Sequence, residues 1–211
     1  KVKLKEKPVC LLHGVTSSGK TNIYIRLIEE YIKQGKQVLY MLPEIALTSQ
    51  VIRRLQKHFG GYIGIYHSKF SQNERVEIWN KVKNAELSVI LGARSSVFLP
   101  YQNLGLVICD EEHDTSFKQQ EPAPRYNGRD AAIYLASLFG AKTLLGSGTP
   151  SVESYYNATT GKYGLSELLQ RYGDLKLPPI EMVDTRKIIQ KDRSKVMLSP
   201  QLTEAVQEVL A

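Results

Sequence analysis

Residues 9–34 read VCLLHGVTSSGKTNIYIRLIEEYIKQ, an apolar run followed by a glycine-bounded loop and an amphipathic stretch. The middle of this segment, GVTSSGKT at residues 14–21, matches the pattern G-x-x-x-x-G-K-[ST] of the phosphate-binding P-loop. That pattern requires a buried strand before it and a helix after it, and the flanking residues predict both. The glycines let backbone N–H groups curl around phosphate oxygens at the start of a helix. The segment therefore predicts a nucleoside triphosphate site in an α/β domain.

Each side chain of the P-loop has an expected role. Lys20 should contact the β and γ phosphates, and Thr21 should reach Mg²⁺. Ser17 stands where many P-loop proteins carry a third glycine, which should reduce backbone freedom slightly and leave binding intact. The predicted cofactor-binding residues of the loop are Gly14, Val15, Thr16, Ser17, Ser18, Gly19, Lys20 and Thr21.

Apolar runs without alternation recur along the chain and are separated by helix-like segments. The runs are PVCLLH, QVLYML, YIGIYH, LSVIL, LGLVICD and AKTLLG, and helices are predicted over residues 21–34, 45–59, 71–83 and 129–139 and from about Ser151. Strands that are apolar on both faces are typical of parallel sheets covered by crossover helices. We therefore predict a three-layer α/β fold of the RecA-like P-loop type, with a central, mostly parallel sheet. Beyond Gly164 the pattern loosens, with one more strand predicted in LKLPPIEMVDTR at residues 175–186 and a helix in SPQLTEAVQEVLA.

The composition is that of a folded globular domain. The 211 residues are 42% hydrophobic and 23% charged, which suits one sizeable domain. The longest mostly apolar stretch, residues 131–141, is too short to cross a bilayer, so we expect a cytoplasmic protein without a membrane partner. The net charge of +7 suits an anionic partner without identifying it. Cys10 and Cys109 lie inside predicted strands and are expected to be small core residues.

The strand LGLVIC ends in four polar residues, DEEH at residues 110–113. An acidic cluster after a strand is by itself more often a solvated turn, but its pairing with a P-loop favours a Walker B role. Asp110 is expected to bind Mg²⁺ through water, and Glu111 to orient and deprotonate the attacking water. His113 is expected to sense the γ-phosphate. The predicted catalytic residues are Lys20, Asp110 and Glu111, and the predicted magnesium ligands are Thr21 and Asp110.

Longer stretches around these motifs resemble one family of superfamily 2 DExH helicases. They are LLHGVTSSGKTNIY, LPEIALT, YHSKFSQNERVEIW, LGARSSVFLPYQNLGLVICDEEHDTSFKQ, PRYNGRDAA and LGSGTPSVES. The chain resembles the PriA, or primosomal protein N′, family of bacterial replication-restart helicases over essentially its whole length. The resemblance implies the first motor lobe of an enzyme that uses ATP and Mg²⁺ to translocate 3′ to 5′ on single-stranded DNA.

The loop at residues 114–130, DTSFKQQEPAPRYNGRD, resembles the aromatic-rich loop by which such helicases couple single-stranded DNA to ATP hydrolysis. Phe117 and Tyr126 can stack on bases, and Lys118, Arg125 and Arg129 can contact phosphates. Without the neighbouring DEEH, a solvated loop with two packing aromatic residues would be the simpler interpretation.

Three further segments resemble helicase motifs. Residues 146–151, GSGTPS, resemble motif III with Gly148 in place of the usual alanine, and Ser147 and Thr149 are the hydroxyls expected to relay between ATP and DNA. Thr48 in LPEIALT resembles motif Ia, and Arg94 and Ser95 in GARSS resemble motif Ib. The resemblance implies that both motifs contact the DNA backbone. A helix N-cap or a surface arginine is the structural alternative for these residues.

We expect residues 1–184 to form the first lobe and residues 185–211 to form a linker and the truncated start of a second lobe. The resemblance implies forked DNA, single-stranded-DNA-binding protein and primosome proteins as further partners. It places the zinc site of the family outside this chain, which contains no Cys-x-x-Cys pair. It also places the arginine fingers outside the chain, so the isolated lobe should be nearly inactive. Another superfamily 2 translocase, an RNA helicase and a non-enzymatic nucleotide-binding domain remain as alternatives.

Overall fold

Seven parallel strands form the central sheet. The computed structural model describes residues 4, 6–67, 70–171, 180–184 and 198–210. The strands are β1 Val9–Gly14, β2 Gln37–Met41, β3 Ile63–Tyr66, β4 Val89–Gly92, β5 Leu104–Asp110, β6 Lys142–Ser147 and β7 Gly164–Leu168. Their order in the sheet is β3-β4-β2-β5-β6-β1-β7, and every pairing is parallel. The predicted fold class is confirmed.

Five helices connect these strands. They are α1 Lys20–Lys33, α2 Ser49–Phe59, α3 Gln72–Lys83, α4 Gly128–Leu138 and α5 Val152–Thr159. Short 3₁₀ turns lie at Glu44–Ala46, Gly60–Tyr62, Arg94–Phe98 and Thr115–Phe117. The helix predicted over residues 45–59 is therefore divided, because the Thr48 hydroxyl caps α2 by accepting a hydrogen bond from the Val51 N–H at 3.4 Å.

Both faces of the sheet are buried, which explains the apolar runs without alternation. On β5, Val107 and Cys109 belong to one hydrophobic cluster, whereas Leu106 and Ile108 belong to the cluster on the opposite face. Cys10 on β1 is buried with the second cluster. Both cysteines are therefore core residues, as predicted.

The seventh strand lies elsewhere in the chain than the sequence predicted. Residues 164–168, GLSEL, pair in parallel with β1, with Gly14 opposite Leu168. Residues 180–184 of the predicted strand belong to no strand, and the rest of that segment lies outside the described residues. Because β7 is an edge strand, most of its residues are only partly buried or exposed, and its sequence lacks the apolar run of the central strands.

The chain divides into two compact units, Lys1–Asp174 and Leu175–Ala211. The second unit contains the predicted helix, α6, at Pro200–Leu210. Throughout the described ranges, no helix is both long and apolar enough to span a membrane.

Candidate nucleotide site and its coupling elements

Three sequence motifs meet at one edge of the sheet. The P-loop follows β1, DEEH follows β5, and GSGTPS follows β6, the strand that lies between them. The register places Asp110 beside Gly146 and His13 beside Ser147. Because the strands are parallel and end at similar levels, all three motifs open onto the same crevice.

The P-loop folds tightly before α1. Gly19 has a φ of 88° and Ser17 a φ of 63°, so a non-glycine residue occupies the left-handed region in this loop. The Lys20 ammonium donates a hydrogen bond to the Gly14 carbonyl at 2.6 Å. The Ser18 hydroxyl is buried and has no hydrogen-bond partner among the described residues.

A cleft of about 340 Å³ lies over the P-loop. Its walls include Thr21, Arg54, Asp110 and Glu111, and Arg54 donates to the Asn22 amide oxygen at 2.7 Å. Backbone donors, an ammonium group and two carboxylates around one cleft suit a triphosphate with a bound Mg²⁺. Arg54 was not predicted, because an arginine on an amphipathic helix normally indicates a solvated face.

Asp110 is held by donors that the sequence analysis did not identify. Tyr24 donates to Oδ1 at 2.9 Å, Tyr40 donates to Oδ2 at 3.2 Å, and the Glu111 N–H donates to Oδ1 at 3.1 Å. Burial raises the pKa of the Asp110 carboxyl, and these hydrogen bonds together with the Lys20 charge oppose that rise. The carboxylate is therefore both desolvated and firmly oriented.

Glu111 faces the cleft in a less buried position. Its backbone lies in the left-handed region with a φ of 49°, which is uncommon for a residue with a side chain. Partial burial, followed by the charge of Asp110, raises the pKa of its carboxyl, while Lys20 and His113 lower it. A raised pKa brings a carboxylate closer to the range in which a general base works well.

His113 connects the acidic motif with GSGTPS. Its Nδ1 lies 2.8 Å from the Ser147 hydroxyl, and its Nε2 lies 3.3 Å from the Thr149 hydroxyl. The Thr149 N–H donates to the Ser147 hydroxyl at 2.9 Å. The three residues predicted to sense phosphate and relay to DNA thus form one hydrogen-bonded group.

Glu112 is buried and pairs with Arg129. Arg129 Nη1 lies 2.9 Å from Glu112 Oε2, and the Ser151 N–H and the Ser154 hydroxyl donate to the same carboxylate at 2.7 and 2.8 Å. The Arg129 side chain is 12% exposed, and it also pairs with Asp130. The expected phosphate contact of Arg129 is corrected, since its charge is already used to neutralise a buried carboxylate.

Phe117 does not lie where a base could stack. Its ring is 1% exposed and packs in the hydrophobic core, so the expectation of base stacking at this position is corrected. Phe98, which the sequence analysis did not select, is 64% exposed, and its ring lies edge-on to Tyr126 with 5.0 Å between centroids. The Arg94 guanidinium lies 5.9 Å from the Tyr126 centroid and donates to the carbonyls of Ser116 and Lys118. Arg94 thus fastens the loop against the 3₁₀ turn that carries Phe98.

The remaining predicted contacts lie in more exposed positions. Lys118 donates to the Arg125 carbonyl at 2.6 Å, and Arg125, 63% exposed, forms an ion pair with Glu121. Thr48 is exposed and caps α2, and Ser95 is partly buried in the 3₁₀ turn after β4.

A parallel sheet with a P-loop after its first strand and an acidic motif after its fifth is typical of P-loop nucleoside triphosphatase domains. The chain belongs to the DEAD/DEAH box helicase family, whose model matches residues 2–157. It is 41% identical, over 96% of its length, to the replication restart protein PriA of Chlamydia muridarum, and 40% identical, over 98%, to that of Bacillus subtilis. It covers 27% and 25% of these proteins and so spans about a quarter of the length of the curated relatives. The resemblance inferred from the motifs is confirmed.

The fold also resembles that of part of RecG in the structure of RecG bound to a three-way DNA junction. The TM-score is 0.56 at 22% identity, over 91% of this chain and 25% of RecG.

Proposed function

We propose that this chain is the ATP-binding motor lobe of a 3′ to 5′ DNA helicase that acts in the restart of stalled or collapsed replication forks. The observation that carries the proposal is the convergence of Lys20, Thr21, Asp110 and Glu111 on one cleft. The identity of about 40% to proteins named for replication restart supports the assignment of the motor to that process.

Within this cleft, Lys20 and Thr21 bind the phosphates from the P-loop side, and Asp110 faces them from the end of β5. Bound Mg²⁺ would neutralise charge on the phosphate oxygens. Glu111 orients a water molecule and accepts its proton during attack on the γ-phosphate. The raised pKa of the Glu111 carboxyl supports this role as a base.

Coupling to DNA runs through the elements beside the cleft. His113 passes the state of the γ-phosphate to Ser147 and Thr149, with which it is hydrogen-bonded. On the surface, Phe98 and Tyr126 stack on bases; Lys118, Arg125, Thr48 and Ser95 contact the DNA backbone. Phe117 and Arg129 are packed inside the domain and stabilise the loop that forms this surface.

The full-length protein would supply what this lobe lacks. Residues 1–184 form the first motor lobe, residues 185–211 lead towards a second lobe that provides arginine fingers, and the isolated chain hydrolyses ATP very slowly. The partners of the full-length protein are single-stranded and forked DNA, single-stranded-DNA-binding protein and primosome proteins, in the bacterial cytoplasm.

Nucleotide binding and turnover test the proposal with two substitutions. Lys20→Ala should abolish Mg-ATP binding to the chain, because the loop loses its only lysine. Glu111→Gln should keep binding but stop turnover in the full-length protein, because an amide cannot accept the proton. Normal ATP hydrolysis by Glu111→Gln would show that another group is the base.

A further inference from the structure

The hydroxyl of Tyr24 lies where the P-loop helix, the acidic strand and the GSGTPS strand meet. Tyr24 is one helical turn beyond Lys20 on α1 and is fully buried. Its hydroxyl donates to Asp110 Oδ1 at 2.9 Å. Gly146, the sheet neighbour of Asp110, faces the same hydroxyl.

We propose that Tyr24 is a positioning residue that holds the Asp110 carboxylate in the orientation needed to bind Mg²⁺ with the nucleotide. This inference rests on the proposed function of the cleft and extends it to a residue of the P-loop helix. Tyr24 does not contact the metal itself. It affects Mg²⁺ affinity through the orientation of the Asp110 carboxylate.

Packing alone would not require a tyrosine at this position. The Tyr24 ring lies in an apolar cluster and meets the Tyr40 ring edge-on, with 5.5 Å between centroids. A phenylalanine would fill the same space without bringing a polar atom into the cluster, where an unbonded hydroxyl is costly. The hydroxyl is accounted for by its bond to Asp110.

The two carboxylate oxygens of Asp110 accept different numbers of hydrogen bonds. Oδ1 accepts from Tyr24 at 2.9 Å and from the Glu111 N–H at 3.1 Å. Oδ2 accepts only the longer bond from Tyr40, at 3.2 Å, among the described residues. Because two donors already bind Oδ1, Oδ2 is the oxygen that can more readily accept a hydrogen bond from a metal-bound water.

Gly146 makes room for this arrangement. A Cβ atom at this position would lie 1.8 Å from the Tyr24 hydroxyl oxygen and 3.2 Å from Asp110 Oδ1. A side chain of any kind would therefore push the hydroxyl away from the carboxylate. Gly146→Ala is a second way to perturb the same hydrogen bond without changing Tyr24.

The test is the binding of N-methylanthraniloyl-ATP to this chain over a series of Mg²⁺ concentrations. Tyr24→Phe removes the hydroxyl and keeps the ring. The matched control is Tyr101→Phe, because Tyr101 is also buried and its hydroxyl donates to the Ser96 carbonyl at 2.9 Å, away from the cleft. Tyr24→Phe should need about tenfold more Mg²⁺ for the half-maximal gain in affinity, as is usual when an outer partner of a metal ligand is lost. Without Mg²⁺, the wild type, Tyr24→Phe and Tyr101→Phe should bind the nucleotide with equal affinity. Gly146→Ala should show the same shift in Mg²⁺ dependence as Tyr24→Phe.

A Tyr24→Phe protein with the Mg²⁺ dependence of the wild type would overturn the inference while leaving the proposed function intact. An equal shift in Tyr101→Phe would also overturn it, since the effect would then be a general loosening of the core. If the wild-type chain binds no nucleotide at any Mg²⁺ concentration, the proposed function itself fails.

Discussion

Glu112 and Arg129 form a buried ion pair, with 2.9 Å between Oε2 and Nη1 and with no solvent exposure of the Glu112 side chain. The pair joins the acidic motif after β5 to the first turn of α4, and Ser151 and Ser154 extend it to α5. Arg129 lies at the end of the loop that carries Tyr126, where α4 begins. The pair therefore fixes one end of that loop to the acidic motif.

Removing Arg129 should destabilise the domain strongly. Arg129→Ala leaves a buried carboxylate without its counterion, and we expect the free energy of unfolding to fall by about 3 kcal/mol. Arg125→Ala is the matched control, since Arg125 pairs with Glu121 at the surface and should change stability by at most about 1 kcal/mol. Urea denaturation followed by circular dichroism measures both. Equal, small changes for the two variants would contradict the structural role of Arg129.

The two phenylalanines near the loop should behave in opposite ways. Phe117→Ala opens a cavity in the core and should lower the free energy of unfolding by about 3 to 5 kcal/mol. Phe98→Ala should change it by no more than about 0.5 kcal/mol but weaken single-stranded DNA binding by the full-length protein. Unfolding curves and fluorescence anisotropy with a labelled oligonucleotide separate these effects. Loss of stability in Phe98→Ala with unaltered DNA binding would refute this assignment.

His113→Ala should separate ATP hydrolysis from its stimulation by DNA. The substitution breaks the hydrogen bonds to Ser147 and Thr149, while Lys20 and Asp110 keep their places. We expect nucleotide affinity to be retained and DNA stimulation of the full-length protein to fall severalfold. Turnover with and without single-stranded DNA is the measurement, with the exposed His58→Ala as control. Unchanged DNA stimulation in His113→Ala would show that His113 does not couple DNA binding to ATP hydrolysis.

The capping box of α3 should give a pH-dependent contribution to stability. Hydrogen bonds with the Ser71 hydroxyl and N–H lower the pKa of the Glu74 carboxyl in the folded state. The contribution is therefore complete above the pKa of the unfolded chain and is lost as the pH falls through the lowered folded value. We expect wild type to exceed Glu74→Ala in Tm at neutral pH, and the gap to close in acid.

Glu74→Gln is the control for this titration, because its amide can occupy the same position and does not ionise. Its Tm relative to Glu74→Ala should vary little over the same pH range. A gap between wild type and Glu74→Ala that persists unchanged in acid would mean that the carboxylate form is not what stabilises the helix.

Much of the fold could be predicted because its signals are local. The buried central strands have apolar residues on both faces, and the P-loop and DEEH motifs follow two of them directly. The edge strand β7 escaped prediction, because Leu165 is only partly buried, Glu167 is exposed, and two adjacent polar residues interrupt the apolar pattern. Its pairing with β1 is a contact between residues far apart in the sequence.

The parts of the site that were missed depend on such distant contacts. Tyr24 has the sequence context of a core residue on an amphipathic helix, and only the neighbouring strand shows that its hydroxyl meets Asp110. Phe117 and Arg129 are residue types that DNA-binding loops use, but the 3₁₀ turn and α4 direct both side chains into the domain. Residue type predicted a DNA-binding loop, and burial shows which of its side chains lie at the surface.

ATP turnover by the full-length protein, measured with no polynucleotide, with single-stranded DNA and with single-stranded RNA, shows whether the protein is a DNA motor. The Phe98→Ala/Tyr126→Ala variant is measured alongside the wild type. We expect strong stimulation by DNA alone and its loss in the variant. Stimulation by RNA, or turnover that is indifferent to any polynucleotide, would contradict a DNA motor.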